Sequence, residues 1–285
     1  MPDVYTHGHH ESVLRSHRWR TAANSARYLL DSLQPGLSLL DVGCGPGTIT
    51  VDLARLVSPG RVVGIDASEA VVAQARDHAG QADAAVDNNT VERAAVDQNA
   101  AANVAFRVAD VYHLDSDLTG FDIVHAHQVL QHLSDPVGAL KAMGRALRPG
   151  GLLAVRDSDY GAFAWAPADP VLDRWLAVYH QVCVRNRAQA DAGRYLLGWV
   201  QKAGFSDVRA SSSTWTFADP ESRGWWGGLW AERVEKSDFA TQAVSYGLCE
   251  AWELADMAGA WRRWAEAEDG YFAVVHGEVL ARRAS

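Results

Sequence analysis

A glycine-rich turn in the first fifth of the chain has the residue types to hold a small ligand against the backbone. It reads Asp41-Val42-Gly43-Cys44-Gly45-Pro46-Gly47-Thr48 and ends a short apolar run. Glycine permits positive φ and a close approach of a ligand to the main chain, and proline suits the first turn of a helix. The turn therefore predicts a strand, a ligand cradle and a helix in succession.

Nearby carboxylates indicate which ligand the cradle would take. A dinucleotide site needs Gly or Ala where this turn has Thr48, and Asp41 inside the turn would repel a pyrophosphate but attract a cationic group. Asp66 ends the next apolar run, where a carboxylate can accept from ribose hydroxyls, and Asp110 after a third run can accept from an adenine amine. Either acid alone could equally be a helix N-cap. The ordered set favours an adenosyl ligand over NAD.

The elements that must position these residues follow an alternating pattern. Short apolar runs alternate with helical stretches over residues 37–157, which is typical of a parallel sheet with crossover helices. We predict strands at 37–42, 61–65, 104–108, 121–126 and 152–156, with helices at 47–57, 68–78 and 136–147. A helical pair at 170–187 and 191–203 and two late strands at 206–217 and 271–282 follow. The repeating unit predicts a doubly wound sheet.

Two segments depart from this pattern. Residues 79–103 are longer than a turn requires and carry nine alanines. They fit either an exposed extension of the second helix, which we favour, or an inserted lid that binds a partner. The helical piece at 219–268 falls between the two late strands and is predicted to be a cap.

With these motifs the chain resembles the class I S-adenosylmethionine-dependent methyltransferases. The glycine turn matches the family's first motif, Asp66 its ribose-binding acid and Asp110 its adenine-side acid. Two further matches are Phe121-Asp122-Ile123-Val124-His125-Ala126-His127 in the fourth strand and Leu147-Arg148-Pro149-Gly150-Gly151 before the fifth. Within the family the chain is most similar to enzymes of the ubiquinone and menaquinone biosynthesis type and their small-molecule relatives in secondary metabolism.

The resemblance implies an α/β fold with a Rossmann-like sheet of seven mostly parallel strands and an antiparallel last strand. A helical lid would span residues 1–35, the core 36–218 and 269–285, and the cap 219–268. The cofactor would be S-adenosylmethionine, with S-adenosylhomocysteine as product and O, C, N or S of a small metabolite as acceptor. The implied cofactor-binding residues are Tyr5, Arg20, Asp41, Gly43, Gly45, Asp66, Ala67, Asp110, Val111 and His127.

Methyl transfer from a sulfonium is an in-line displacement that chiefly needs proximity and exclusion of water. A general base matters only for an acceptor that is protonated at neutral pH. Candidates follow the fourth strand: strand alternation places His125 and His127 on one face, and His132 comes shortly after. We predict His127 and His132 as catalytic residues, with capping or loop hydrogen bonds as the simpler alternative. A non-catalytic adenosyl-binding module and, less favoured, an NAD-dependent dehydrogenase stay open.

The N-terminal segment is a second concentration of polar and aromatic residues. It contains His7, His9, His10 and Glu11, which invite a metal hypothesis, but the spacing is not that of a helical ligand pair and no cysteine accompanies them. We therefore expect no metal site. A lid is favoured, with Tyr5 or Arg20 near the methionine carboxylate of the cofactor, over a surface helix packed on the sheet edge.

The cap is the predicted acceptor site. It carries six of the eleven tryptophans and a net charge of −5, from ten acids and five bases. Tryptophans offer flat apolar surface with one donor each, so Trp225, Trp226 and Trp230 are predicted to line a pocket for an aromatic or apolar metabolite. We expect three or four of the six to be structural instead.

Composition limits the remaining possibilities. The 285 residues include 35 acidic and 26 basic side chains, a net charge of −9, which disfavours a nucleic-acid partner. No apolar run reaches the ~18 residues of a membrane span, and the first residues do not follow the order of a signal peptide. Three dispersed cysteines suit a reducing compartment. We expect a cytoplasmic monomer or homodimer that acts on a small molecule.

Overall fold

The computed structural model describes residues 3–8, 10–87 and 103–284. Within them eight strands form one sheet: β1 (Leu39–Val42), β2 (Val62–Asp66), β3 (Val104–Val108), β4 (Phe121–His127), β5 (Leu147–Ser158), β6 (Ala164–Ala166), β7 (Ser206–Phe217) and β8 (Tyr271–Arg282). The order is β3-β2-β1-β4-β5-β8, with β6 and β7 also paired to β8. Strands β1 to β5 pair in parallel, whereas β8 is antiparallel to β5, β6 and β7. The predicted doubly wound, mostly parallel sheet with an antiparallel last strand is confirmed.

The three-residue strand β6 adds an eighth strand to the seven predicted. It pairs with residues 271–273 of β8, whereas β5 pairs with residues 276–282 of the same strand. Strand β7 pairs with one edge of β8 along nearly its whole length. Strands β5 and β6 therefore share the other edge of β8, one after the other. A segment of three residues is too short to show an alternating pattern, so the sequence does not reveal it.

Eleven α-helices lie in the described residues. They are α1 (Glu11–Arg18), α2 (Ala22–Ser25), α3 (Arg27–Leu30), α4 (Thr48–Val57), α5 (Glu69–Asp87), α6 (Pro136–Ala146), α7 (Pro170–Arg185), α8 (Ala192–Lys202), α9 (Pro220–Lys236), α10 (Asp238–Ser245) and α11 (Ala251–Glu266). Three of them begin with the same Asp-Pro pair, in which Asp135, Asp169 or Asp219 caps the helix by accepting a backbone N–H. No helix of the described ranges is long and apolar enough to cross a bilayer.

Apolar side chains cover both faces of the sheet. On one face Leu29 and Leu53 pack with Leu39 of β1, and on the other Leu140 and Leu196 pack with Leu153 of β5. Burial on both faces explains why the central strands read as continuous apolar runs. The helices α9, α10 and α11 lie between β7 and β8 in the chain and share a third core with α7.

The alanine-rich segment extends α5. The helix was predicted to end near residue 78, and it continues to Asp87, in line with the favoured helical extension. The rest of the segment, residues 88–102, lies outside the described residues.

Candidate functional site

The glycine turn joins β1 to α4 at the carboxyl edge of the sheet. Gly43, Gly45 and Gly47 have φ of +67°, +55° and +81°, values that L side chains rarely adopt. A β-carbon at Gly43 would collide with Val129, whereas one at Gly45 would meet no described atom closer than His17 Nδ1 at 3.9 Å. Strand, turn and helix therefore follow one another as predicted. The space that a β-carbon of Gly45 would occupy is free of described atoms from other parts of the chain out to 3.9 Å.

Asp41 lies beneath this turn and is bound by two neighbouring side chains. The strand register pairs it with His125 of β4, whose Nδ1 is 2.7 Å from Asp41 Oδ1. The Thr50 hydroxyl donates to Asp41 Oδ2 at 2.5 Å, and the residue is 3% exposed. Both carboxylate oxygens thus have protein partners, which favours a role in fixing the turn over the expected attraction of a cationic ligand. His125 belongs to the same pair and is fully buried.

The two acids at the strand ends lie where the sequence places them. Asp66 ends β2 and accepts backbone N–H groups from Gly45 at 3.2 Å and Ser68 at 3.0 Å. Asp110 follows β3 and accepts from the N–H of Tyr112 at 2.9 Å, with His113 Nδ1 at 3.0 Å. Ala67 and Val111 come directly after these acids, and all four residues line one cavity with Gly43 and Gly45.

That cavity has a volume of about 790 Å³. Its outer part is bounded by the glycine turn and the ends of β2 and β3. We call the rest the inner chamber; its walls are Tyr5, His7, His17, Trp19, Arg20, His127, Gln131, His132, Ser158, Tyr160, Phe163, Trp215, Trp226, Trp230, Arg233 and Val274. The N-terminal segment, the sheet edge and the cap all contribute to it. One space thus brings the predicted cofactor residues and most of the predicted acceptor residues together.

Aromatic rings form most of the inner chamber. The rings of Tyr5 and His132 are 4.7 Å apart edge to face, and His7 lies 6.0 Å from the Trp230 ring. Trp226 and Trp230 line the cavity as expected. Trp225 does not line it, and packs instead against the ring of Trp19. Trp225 neighbours Trp226 on a helix and so points to a different side of α9.

The other cap tryptophans divide between core and surface. Trp261 and Trp264 belong to the apolar core, and Trp252 is 65% exposed. Trp226 and Trp230 combine both roles, because they are buried in that core while they line the cavity.

The two histidines predicted to be catalytic both reach the chamber and are both desolvated. Burial lowers the pKa of His132 to about 3 and that of His127 well below its ordinary value. Gln131 Nε2 lies 3.0 Å from His132 Nε2, and the Ser158 hydroxyl donates to Gln131 Oε1 at 2.5 Å. Because Gln131 Oε1 accepts from Ser158, its amide NH2 group donates to His132 Nε2. The ring hydrogen of the neutral His132 is therefore on Nδ1. Both imidazoles are neutral at pH 7.

Two guanidinium groups border the same chamber. Arg20 lies 5.7 Å from the Trp215 ring centre, and desolvation lowers its pKa to about 10. Arg233 of α9 is 4% exposed and lies 4.5 Å from the Trp230 ring centre. Sequence reasoning missed Arg233, although its helical spacing from Trp226 and Trp230 places it on the same buried face of α9.

A row of polar residues crosses the sheet beneath the chamber. The strand registers align His127 with Arg156 and Arg156 with Glu278. Arg156 Nε is 3.1 Å from Glu278 Oε1, and Ser213 donates to the same oxygen. Next to Arg156 in β5, Asp157 is fully buried, and burial raises its pKa to about 8.

The N-terminal segment connects to both sides of the cavity. His7 Nε2 is 2.9 Å from the Tyr179 hydroxyl, Asn186 donates to Thr6 at 3.0 Å, and Tyr112 donates to Asp3 at 3.0 Å. His9 lies outside the described residues. Among those that are described, no group of three or more His, Cys, Asp or Glu side chains is placed to hold a metal ion.

Comparisons with known proteins agree with this geometry. Residues 33–204 match the family model described as a methyltransferase domain. The chain is 30% identical to an uncharacterized methyltransferase of Schizosaccharomyces pombe, over 98% of this chain and 96% of that protein. It is 29% identical to a probable methyltransferase, ltbC, of Aspergillus luteorubrus, over 97% of this chain and 96% of that protein. Ubiquinone biosynthesis O-methyltransferases match only about half of the chain.

A solved structure supports the fold independently. The YcgJ protein of Bacillus subtilis superposes with a TM-score of 0.56 at 15% identity, over 91% of this chain and 97% of that one. The family match spans more than half of the chain, and it covers the glycine turn, Asp66 and Asp110. The chain therefore belongs to the class I S-adenosylmethionine-dependent methyltransferases.

Proposed function

We propose that the protein transfers a methyl group from S-adenosylmethionine to an O, C, N or S atom of a small, ring-containing metabolite held in the inner chamber. The observation that carries this proposal is the continuity of the cavity from the glycine turn to the aromatic walls. Its volume of about 790 Å³ lies within the range of small-molecule sites, roughly 300–1,000 Å³.

The residues of the outer part fit the cofactor. Asp66 can accept from the ribose hydroxyls and Asp110 from the adenine amine, while Ala67 and Val111 offer apolar surface to the adenine ring. Tyr5 and Arg20 lie toward the chamber, where a donor and a cation suit the methionine carboxylate. When bound, S-adenosylmethionine supplies a methyl group already activated by the positive charge on sulfur.

The chain contributes positioning and exclusion of water. The N-terminal segment lines the cavity and is held by hydrogen bonds to Tyr179 of α7 and to Asn186, the residue that follows this helix. Arg15 of α1 also pairs with Glu232 of α9 at 2.7 Å. We propose that this segment is a cover that opens for exchange and, when closed, keeps both reactants in attack geometry away from water.

We propose a positioning role for His132 instead of the general-base role expected from the sequence. A pKa of about 3 makes its imidazole a weak proton acceptor at neutral pH, and its buried Nδ1 has no hydrogen-bond partner among the described residues. The same argument applies to His127, because burial lowers its pKa well below the ordinary value and both of its ring nitrogens are buried, so we propose no general-base role for it either.

The experiment is a methylation screen followed by a pH profile. The protein is incubated with S-adenosylmethionine and a panel of phenols, thiols, carbon acids and amines, and S-adenosylhomocysteine and a singly methylated product are quantified. With the best acceptor, we expect His132→Gln to lower kcat without creating or removing a titration between pH 6 and 8. A wild-type decline below about pH 6.5 that disappears in His132→Gln would show that His132 is the base. Binding of S-adenosylhomocysteine without turnover of any acceptor would favour the non-catalytic alternative.

A further inference from the structure

Arg233 is a buried cation in the wall of the inner chamber, and it has no carboxylate partner in the part of the chain that the structure describes. Its Nη2 donates to the Ser16 hydroxyl at 2.9 Å and to the Ser12 carbonyl at 3.3 Å. Its Nε is buried and has no hydrogen-bond partner among the described residues. Of the carboxylates that the structure describes, none lies within ion-pair distance of Arg233 or Arg20.

Such an arrangement is costly unless it serves a ligand. A buried guanidinium keeps its charge, and neutral oxygens and the face of Trp230 replace only part of its hydration. A carboxylate would accept two N–H groups of the fork at once, which is the geometry that Arg provides and Lys does not. A buried guanidinium that lines the chamber and has no carboxylate partner among the described residues therefore points to an anion as its natural ligand.

The other charges of the cavity divide between its two ends. The described carboxylates that line it are Asp3, Asp41, Asp66 and Asp110, and Asp3 accepts from Ser134 and Tyr112 at the outer part. Around Arg233, His7 and His132 are desolvated, and the tyrosines are neutral phenols. The inner chamber is thus positive or neutral, which disfavours a cationic amine as acceptor.

We infer that the acceptor is an aromatic acid whose anionic group binds Arg233 while its ring lies among the chamber aromatics. This inference rests on the proposed function and names the substrate class of the same site. Arg20 stays assigned to the cofactor carboxylate, and Arg233 is the other arginine among the described residues that line the cavity. The rings of Trp226, Trp230 and His132 supply the flat apolar surface beside it.

The test is a calorimetric titration of the full chain saturated with S-adenosylhomocysteine. The probes are 2-, 3- and 4-hydroxybenzoate and their neutral hydroxybenzamide counterparts, which differ chiefly in charge. We expect at least one acid to bind about ten- to a hundredfold more tightly than its amide, the value of an ionic hydrogen bond. Equal binding of acids and amides, tighter binding of the amides, or no acid binding up to millimolar concentration would overturn the inference.

Variants then locate the anion. We expect Arg233→Met to lower the affinity for the acid to that for the amide and to leave the affinity for S-adenosylhomocysteine unchanged. Arg15→Met is the matched control, because it also removes a link between α1 and α9 but lies outside the chamber walls. An acid preference that survives in Arg233→Met would overturn the inference, as would an Arg233→Met variant that instead loses affinity for S-adenosylhomocysteine. Should Arg233→Met not fold, the comparison of acid and amide on the wild-type chain decides. A wild-type chain that does not bind S-adenosylhomocysteine would refute the proposed function itself.

Discussion

The free space beside Gly45 allows a test of whether the cofactor lies against the backbone of the glycine turn. Gly45→Ala places a methyl group at φ +55°, and Gly120→Ala does the same at φ +75° in an exposed loop before β4 that does not line the cavity. An L residue in the left-handed region costs about 1–2 kcal/mol. Among the atoms that the structure describes, the β-carbon at Gly45 would meet only His17 Nδ1 at 3.9 Å and that at Gly120 none within 4 Å, so neither variant adds a clash with them. We expect both to lose the same 1–2 kcal/mol of unfolding free energy.

Their affinities for S-adenosylhomocysteine should differ. If the cofactor lies against the backbone of the turn, the new methyl group at Gly45 overpacks that contact, which costs about 1–3 kcal/mol. This corresponds to a dissociation constant roughly 5- to 150-fold higher, whereas Gly120→Ala should bind like wild type. Urea denaturation measures the stability and calorimetric titration the affinity. Wild-type affinity in Gly45→Ala, together with the same stability loss as Gly120→Ala, would refute the cradle.

Two further predictions concern buried ionisable side chains of β5 and β8. Because the folded pKa of Asp157 is about 8, the folded chain holds a proton there that the unfolded chain releases, so this group's contribution to stability falls as pH rises from about 4 to 8. The unfolding free energy of wild type relative to Asp157→Asn should therefore fall by about 1.4 kcal/mol per pH unit between pH 5 and 7 in urea titrations, and a constant difference would contradict it. Glu278→Gln leaves the charge of Arg156 buried without its partner and should lower the free energy of unfolding by about 3–5 kcal/mol. The control Glu235→Gln breaks a more exposed pair with Arg262 and should lower it by less than about 1 kcal/mol. Equal losses in the two variants would contradict this prediction.

The sequence predicts the sheet well because its signals are local. A strand buried on both faces reads as an apolar run, and the turns after β1 and β2 carry glycine and aspartate at fixed offsets. The positions of Asp66 and Asp110 at neighbouring strand ends follow from parallel pairing alone. The three-residue strand β6 carries no such local signal, whereas the alanine-rich composition after residue 78 indicates that α5 is longer than its apolar pattern.

The chamber is harder to predict because its walls come from distant parts of the chain. Whether Asp41 faces a ligand or His125 depends on the register between β1 and β4, which the sequence does not state. Trp225 and Trp226 are equivalent in composition, yet only the direction of α9 decides which one reaches the cavity. Arg233 becomes notable only when the structure shows that no described acid pairs with it.

The most direct test is a crystal structure of the chain with S-adenosylhomocysteine. We predict adenosine between Asp66 and Asp110, the amino-acid carboxylate toward Tyr5 and Arg20, and the sulfur atom facing the inner chamber. Adenosine bound elsewhere, or a sulfur atom turned away from the chamber, would contradict the proposal that methyl transfer takes place there.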